Sequence, residues 1–274
     1  MTKMTSNVDS ERFQSGAEKY VAYLESPEGR LRHDLAFTNL QEFLPQSPQS
    51  LSALDIGCGT GATAVLLARL GIHVTLLDSS LPMLELAKRA AQEAGITGRI
   101  VLKHGDAAHL ASLLDAGSFD VILCHNVLEY VDDAGAVLQS AACALRDSSA
   151  ILSVLVRNQA GAVLKAAIQT GDLAAAESAL TAEWGQESLY GGNVRLFAPD
   201  RLHAMLTAAS LAVTAERSIR VVSDYLPASI SRSAQYNQIF DLERNLGRRP
   251  EFAAVGRYIQ YLVRSADPTI EVGG

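Results

Sequence analysis

Between residues 51 and 156, short apolar segments alternate with longer amphipathic ones. The short segments are typical of buried strands, and the longer ones of helices with one apolar face. The predicted strands are 51–56, 73–77, 100–103, 119–124 and 150–156, and the predicted helices are 62–70, 82–94 and 134–145. Strands that alternate with such helices are joined by crossovers, which produce a parallel sheet covered on both faces. The pattern therefore predicts a doubly wound α/β core over 51–156.

Three further regions flank this core: N-terminal helices in 1–50, a helical cap insertion in 157–210, and a C-terminal part in 211–274 that completes the sheet. Within them the periodicity predicts helices at 11–24, 30–44 and 231–246, a break at 26–29, and strands at 211–222 and 258–263. We expect the insertion to enclose a substrate.

The composition is that of a globular protein. Of the 274 residues, 48% are hydrophobic and 19% are charged, which is too apolar for a disordered chain and enough for a sizeable core. Residues 1–10 lack the apolar centre of a signal peptide, and no run approaches about 18 apolar residues. The widely spaced Cys58, Cys124 and Cys143 fit neither a disulfide framework nor a zinc site. We therefore expect a cytoplasmic protein with no membrane partner and no metal.

Charge is distributed unevenly along the chain. Residues 1–156 hold 11 Lys and Arg against 18 Asp and Glu, so this part carries the whole formal net charge of −7, whereas residues 157–274 hold 12 of each sign. A broad basic stripe for nucleic acid is therefore not visible. Arg244, Arg248 and Arg249 cluster at a helix end, where they either contact phosphate or lie in solvent.

The strongest chemical signal is the segment Leu54-Asp55-Ile56-Gly57-Cys58-Gly59-Thr60-Gly61, which follows the first predicted core strand. Glycines at a strand end let backbone approach a ligand closely, and the following helix N-terminus offers free N–H groups. The spacing is Gly-x-Gly-x-Gly, which argues against the dinucleotide pattern Gly-x-Gly-x-x-Gly. A purely structural turn is the alternative.

Two carboxylates follow at the ends of the next strands. Asp78 lies 21 residues after Gly57, where a carboxylate can accept hydrogen bonds from both hydroxyls of a ribose. The alternative role for Asp78 is the N-cap of the helix that begins near Pro82. Asp106 ends the third strand and is the natural neighbour of an adenine amino group, or else a turn residue after Gly105.

This combination resembles the class I S-adenosylmethionine-dependent methyltransferases, with matches at 54–61, 74–78, 104–106, 119–122 and 125–130. The resemblance implies a mostly parallel seven-stranded sheet of the Rossmann-like methyltransferase fold and S-adenosyl-L-methionine as cofactor. It also implies that the glycine loop and Asp55 hold the methionine end, Asp78 the ribose, and Asp106 with Ala107 the adenine. The cofactor residues implied in the core are Asp55, Gly57, Cys58, Gly59, Gly61, Asp78, Ser79, Met83, Asp106 and Ala107.

A narrower resemblance extends outside the core. Segments 29–32, 125–130, 223–226, 241–243 and 256–259 look like the bacterial tRNA 5-carboxymethoxyuridine methyltransferases, which esterify the oxyacetate of a wobble uridine. This resemblance implies that Arg32 meets the methionine carboxylate and that His125 lines the cofactor beside the acceptor. A surface arginine paired with Glu28 and a satisfied core histidine are the alternatives.

The nature of the acceptor decides which residues act in catalysis. A carboxylate is ionised at neutral pH and needs no general base, but it favours an arginine partner, for which Arg195 and Arg201 are the candidates. Tyr225 is a further candidate for binding the acceptor. A hydroxyl or amine acceptor would make His125 the leading base.

The sequence therefore predicts an S-adenosylmethionine-dependent methyltransferase that O-methylates a carboxylate, with the 5-oxyacetate of tRNA wobble uridine as leading acceptor. The alternatives are a methyltransferase acting on a small-molecule carboxylate or hydroxyl metabolite, and a non-catalytic cofactor-binding protein. The N-terminal helices in 1–50 are expected to close over the cofactor site.

Overall fold

The structure is a computed structural model that describes residues 16–46, 48–187, 189 and 191–266. Its strands are β1 (Ser52–Ile56), β2 (His73–Asp78), β3 (Ile100–His104), β4 (Val121–His125), β5 (Ile151–Arg157), β6 (Trp184–Gln186), β7 (Asn193–Arg195), β8 (Leu211–Ile219) and β9 (Tyr258–Ser265). The longer helices are α1 (Ala17–Glu25), α2 (Pro27–Gln41), α3 (Ala62–Arg69), α4 (Leu81–Glu93), α5 (Ala134–Ala144), α6 (Pro199–Ala208) and α7 (Tyr236–Leu246).

Seven strands form one sheet in the order β3-β2-β1-β4-β5-β9-β8. Strands β1 to β5 pair in parallel, whereas β9 runs antiparallel to both β5 and β8. The predicted doubly wound, mostly parallel seven-stranded sheet is therefore confirmed. Because parallel strands in this order place their carboxyl ends at one edge, the residues that follow β1 to β5 are brought together there.

Both faces of the sheet are covered, as the apolar strands predict. Alternate residues of β1 point to opposite sides, so that Leu54 and Ile56 join one apolar cluster while Ala53 joins the other. Helices α5 and α6 contribute to the first cluster, and α3 and α4 to the second. None of the described helices has the length and apolar character that a membrane span requires.

The structure differs from the sequence prediction in the flanking regions. The predicted break at 26–29 shrinks to Ser26, because its hydroxyl accepts a hydrogen bond from the N–H of Gly29 at 3.1 Å and starts α2 at once. Residues 11–15 of the predicted first helix, 11–24, lie outside the described residues. The insertion 157–210 is not only helical, since β6 and β7 pair as a hairpin within it.

The strand predicted over 211–222 ends earlier in the structure, and a buried carboxylate holds the chain at that point. Strand β8 ends at Ile219 because Arg220 takes a positive φ of 61°, which interrupts the extended backbone. Beyond it, the fully buried Glu243 of α7 accepts the N–H groups of Val221, Val222 and Ser223 at 2.6, 2.9 and 2.6 Å. Glu243 therefore holds Arg220 and the loop after it in place.

We predict that Glu243→Gln lowers the free energy of unfolding by about 2 kcal/mol, because an amide replaces the charged acceptor of three buried backbone donors. Chemical denaturation measures this change. Glu251→Gln is the matched control, since the Glu251 side chain is 58% exposed. Equal stability of the two variants would contradict the assigned role of Glu243.

Candidate functional site

A cavity of about 450 Å³ opens at the carboxyl ends of the parallel strands. Its wall includes residues that follow or end β1 to β5, namely Gly57, Asp78, Asp106, His125 and Arg157. Doubly wound sheets bind ligands at this edge, and the volume is typical of a small-molecule site. The fold therefore places the predicted chemistry around one enclosed space.

The glycine loop forms one wall and needs glycine for steric reasons. Gly57, Gly59 and Gly61 have φ values of 64°, 53° and 73°. A Cβ on Gly57 would lie 2.5 Å from Cγ2 of Val127, and one on Gly59 would lie 3.1 Å from the Tyr20 ring. Gly57 and Gly59 line the cavity, whereas Cys58 and Gly61 lie behind them and Gly61 packs against α4.

Asp78 reaches the cavity wall and does not cap a helix. Its two carboxylate oxygens accept the N–H groups of Gly59 and Ser80, each at 2.8 Å. Ser80 is the N-cap of α4, with its hydroxyl oxygen 3.4 Å from the N–H of Met83, so the capping alternative for Asp78 is wrong. Burial raises the pKa of Asp78, and the two backbone donors lower it in part. Ser79 and Met83 lie beside it in the wall.

The other two predicted carboxylates differ in their surroundings. Asp55 lies behind the wall in β1, where burial and then Asp78 raise its pKa to about 8. Asp106 lines the cavity with Ala107, and one of its oxygens accepts the N–H of Ala108 at 2.9 Å. Asp106 therefore has the turn-capping role that was the alternative, and it also faces the cavity.

Arg32 is not a surface residue, because it is only 8% exposed. It donates hydrogen bonds to the Asn126 amide oxygen at 2.7 Å and the Tyr20 hydroxyl at 3.2 Å, and its guanidinium lies 4.9 Å from the centroid of the Tyr23 ring. Glu28, its expected partner in the surface alternative, is 3.4 Å from Arg232 instead. Helix α2 thus delivers a buried cation to the cavity.

His125 lines the cavity, and its Nε2 is 2.8 Å from the Ser153 hydroxyl oxygen. That oxygen also accepts a hydrogen bond from Gln260 at 2.9 Å. Burial, followed by the charge of Arg32 and then His33, lowers the pKa of His125 to about 3. The imidazole is therefore neutral at physiological pH and a weak base.

The next residue, Asn126, connects two arginines of the wall. It takes a positive φ of 55°, and its amide donates to Glu129 at 2.8 Å while its oxygen accepts from Arg32. The same Glu129 oxygen accepts the backbone N–H of Arg157 at 2.9 Å. Asn126 and Arg220 are both non-glycine residues with left-handed backbone in the cavity wall, which is where such strain is commonly tolerated.

The cavity contains more cations than the sequence analysis found. Besides Arg32, its wall carries Arg157, Lys165, Arg220 and Arg257. Arg257 lies within the segment 256–259 that carried the narrower resemblance, whereas Arg157 and Lys165 belong to no quoted motif. Their common location depends on contacts between distant parts of the chain, which a local pattern does not report.

Tyr258 lies between these cations. Its ring centroid is 5.7, 5.8 and 5.9 Å from the guanidinium carbons of Arg32, Arg157 and Arg220. Burial would raise the pKa of Tyr258, but Arg157, Arg32, Arg220 and Arg257 together lower it to about 7. This part of the cavity therefore has a strongly positive potential.

The remaining candidates lie elsewhere. Arg195 is not on the wall but donates to the carbonyls of Val131 and Asp132, both at 3.2 Å, and both of these residues are on it. Tyr225 also lies off the wall, and burial raises its pKa to about 12. The other arginines form surface ion pairs, as Arg201–Glu183, Arg244–Asp241, Arg248–Glu42 and Arg249–Glu251. Arg195 and Tyr225 are thus brought near the cavity but not into it.

No group of His, Cys, Asp and Glu in the described ranges is arranged to hold a metal ion. The cavity wall carries instead both carboxylates, such as Asp78 and Asp106, and five cationic side chains. It is suited to an organic ligand that carries both polar hydroxyl groups and negative charge.

We predict that one tyrosine titrates near pH 7, about three units below the usual tyrosine pKa of about 10. Deprotonation is favoured because a phenolate is attracted by the surrounding guanidinium groups. The ultraviolet absorbance of tyrosinate measures it. Tyr258→Phe should remove this titration and Tyr236→Phe should leave it, and a native protein without tyrosinate below about pH 9 would contradict the positive potential.

Comparisons with known proteins agree with this architecture. A family model described as a methyltransferase domain matches residues 54–152. The tRNA 5-carboxymethoxyuridine methyltransferase of Escherichia coli K12 is 29% identical over 260 residues, which cover 92% of this chain and 95% of that protein. The ubiquinone biosynthesis O-methyltransferase of Vibrio campbellii is 38% identical, but over only 38% of this chain and 44% of that protein.

Solved structures match over most of the chain. An S-adenosylmethionine-dependent methyltransferase from Thermotoga maritima superposes with a TM-score of 0.61 at 15% identity, covering 93% of this chain and 98% of that one. A methyltransferase in complex with the Haloferax volcanii Trm112 activator gives 0.63 at 16%, covering 94% and 97%. These likenesses establish the fold, and the family match adds the activity. The chain is an S-adenosylmethionine-dependent methyltransferase with the Rossmann-like methyltransferase fold.

Proposed function

We propose that this methyltransferase esterifies a carboxylate, and that its acceptor is the 5-oxyacetate of a wobble uridine in tRNA. The observation that carries the proposal is the cationic part of the cavity, where Arg32, Arg157, Lys165, Arg220 and Arg257 share one wall. Buried cations favour an anionic ligand, because charge attraction is strong where water is excluded. A hydroxyl acceptor would gain little from this arrangement.

Other residues of the cavity wall fit the cofactor. Gly57 and Gly59 leave space that a Cβ could not share with Val127 and Tyr20. We propose that Asp78, whose oxygens each accept one backbone N–H and retain another lone pair, binds the ribose hydroxyls. Asp106 and Ala107 would hold the adenine, and Ser79 and Met83 would flank it.

We assign the methionine end to two buried groups. Arg32 has no carboxylate partner within ion-pair distance among the described residues, so its guanidinium is available to the methionine carboxylate. Asp55 lies beside Asp78 behind the glycine loop, where a bound ammonium group would restore its ionised form. Cys58 and Gly61 would support the loop from behind.

The state of His125 favours a carboxylate acceptor over a hydroxyl. S-adenosylmethionine supplies an electrophilic methyl group, which a nucleophilic oxygen takes as the carbon–sulfur bond breaks and its electron pair goes to sulfur. A carboxylate oxygen is already ionised at neutral pH. A hydroxyl would need a base, and a histidine with a pKa of about 3 removes a proton poorly. His125 is therefore proposed to line the reacting groups rather than to accept a proton.

The choice of tRNA rests on the similarity to the Escherichia coli enzyme across 92% of this chain. A small-molecule carboxylate is the second candidate, and one observation favours it. The surface arginines Arg244, Arg248 and Arg249 each lie beside a neighbouring carboxylate, which reduces their attraction for phosphate. Both candidates share the same esterification chemistry.

We predict that Asp78→Asn weakens binding of S-adenosylhomocysteine at least tenfold, on the order of the loss of one hydrogen bond to a charged group. Isothermal calorimetry measures the affinity, and thermal unfolding checks that the fold persists. Asp115→Asn, at an exposed position, is the control and should bind normally. Unchanged affinity in Asp78→Asn would refute the ribose assignment.

Incubation with methyl-labelled S-adenosylmethionine tests the acceptor. We predict that label enters tRNA from a strain that lacks the wobble-uridine methyl ester, and that nuclease digestion recovers it in one modified uridine. The small-molecule fraction of the same extract is assayed in parallel. Label confined to small molecules would overturn tRNA as acceptor, and label in neither fraction would overturn the proposed function.

A further inference from the structure

We infer that Lys165 and Arg257 form the subsite that binds the acceptor carboxylate. This inference deepens the proposed function and rests on it. The two residues belong to different parts of the chain, the cap insertion and the position just before β9, and both line the cavity wall.

The five cations of the cavity wall differ in whether a carboxylate of the protein balances their charge. Arg157 donates to Glu187 at 3.0 Å, and Arg220 donates from Nε to Asp224 at 2.8 Å. Arg32 bonds to the neutral side chains of Asn126 and Tyr20 and is assigned to the cofactor. Carboxylates of the protein thus neutralise two of the five cations, Arg157 and Arg220. A third, Arg32, is proposed to bind the methionine carboxylate of the cofactor.

Lys165 and Arg257 are the remaining two. Within the described ranges neither has a carboxylate at ion-pair distance, and the side chain of Arg257 makes only a 3.4 Å contact with the carbonyl of Gly161. Both side chains line the same cavity. Burial lowers the pKa of Lys165, and the charges of Arg257 and Arg157 lower it further, while Asp224 raises it in part. An anion between them would remove the repulsion between these charges.

Close packing brings the two residues together. A Cβ on Gly161 would lie 2.6 Å from the carbonyl oxygen of Gly256 and 2.8 Å from the Cα of Arg257, so only glycine lets the helix Gln159–Leu164 approach the start of β9. Lys165 follows Gly161 by four residues, which places both on the same side of the helix. The contact at Gly161 therefore directs Lys165 toward Arg257.

Local backbone geometry supports a functional role at this place. The segment Lys165–Thr170 is a π-helix, a conformation that is frequent at functional sites. Lys165 and Gln169 both line the cavity, and Gln169 donates to the carbonyl of Asp224 at 3.4 Å. The backbone N–H of Arg257 donates to the carbonyl of Arg220 at 2.9 Å, which fixes the other half of the subsite.

The two side chains match the chemistry of a carboxylate. The guanidinium fork of Arg257 can donate to its oxygens, and the ammonium of Lys165 adds a point charge without a fixed direction. Esterification removes the negative charge that both residues attract. The subsite therefore binds the substrate more tightly than the methyl ester product, which favours product release.

The test compares acceptors with and without the charge. An anticodon stem-loop RNA carrying 5-carboxymethoxyuridine and the same RNA with the neutral carboxamide are titrated into the protein with S-adenosylhomocysteine bound. We expect the native chain to prefer the carboxylate by about a hundredfold, and Lys165→Gln and Arg257→Gln each to reduce this preference about tenfold. Their affinity for S-adenosylhomocysteine should stay within about twofold, and methylation kinetics should show a raised KM with a smaller change in kcat.

Lys88→Gln is the matched control, because Lys88 is an exposed lysine of α4 and does not line the cavity. It should keep the native preference. Methylation of the RNA by the native chain together with undiminished preference in Lys165→Gln and Arg257→Gln would overturn the subsite and leave the proposed function standing. A native chain that binds the carboxylate RNA no more tightly than the carboxamide RNA, and does not methylate it, would overturn both the subsite and the proposed function.

Discussion

Cationic side chains gathered in one partly buried cavity repel one another, and the architecture around them is organised by that constraint. Removing charge from water is costly unless a partner is supplied, so each cation needs an anion or a hydrogen-bond acceptor. Glu187 and Asp224 serve Arg157 and Arg220. The other cations have no carboxylate partner among the described residues, so we expect bound ligands to balance their charge. The lowered pKa of Tyr258 reflects the positive potential that results. A bound anion would therefore also balance the positive charge of the cavity.

The cavity unites segments that are far apart in the chain, and buried polar contacts hold them in register. Gln260 of β9 donates to Ser153 of β5 at 2.9 Å and to the carbonyl of Ala36 at 3.0 Å, and it accepts from Asn39 at 2.9 Å. Through Ser153 the same network reaches His125. The N-terminal helix α2, the antiparallel strand β9 and the parallel core are thereby linked around the place where the methyl acceptor is proposed to bind.

Local signals in the sequence were sufficient to predict the core and much of the cavity wall where the cofactor is proposed to bind. Strand and helix periods predicted the sheet, because buried parallel strands read as short apolar runs. The places of Gly57, Gly59 and Asp78 in the cavity wall were predictable because they follow from position at a strand end. The strand 211–222 was predicted too long, since the turn at Arg220 depends on Glu243 from α7 and not on nearby residues.

The acceptor side depends on tertiary contacts, and here the sequence was less informative. Arg195 was predicted to bind the acceptor from its place in the insertion, and Tyr225 from its place in a matched segment. The side chain of Arg195 instead donates hydrogen bonds to the carbonyls of Val131 and Asp132. Lys165 lies in no matched segment, and Arg257 lies in the matched segment 256–259 without a predicted role, because the close contact at Gly161 appears only in three dimensions.

The central claim is that the acceptor atom is a carboxylate oxygen. The most direct measurement is the alkali lability of the transferred methyl group, because methyl esters hydrolyse in mild base whereas methyl ethers and methylamines do not. Product labelled from S-adenosylmethionine is treated with mild alkali, and volatile methanol is counted. We predict that nearly all of the label is released as methanol. Label that remains bound to the product would contradict it.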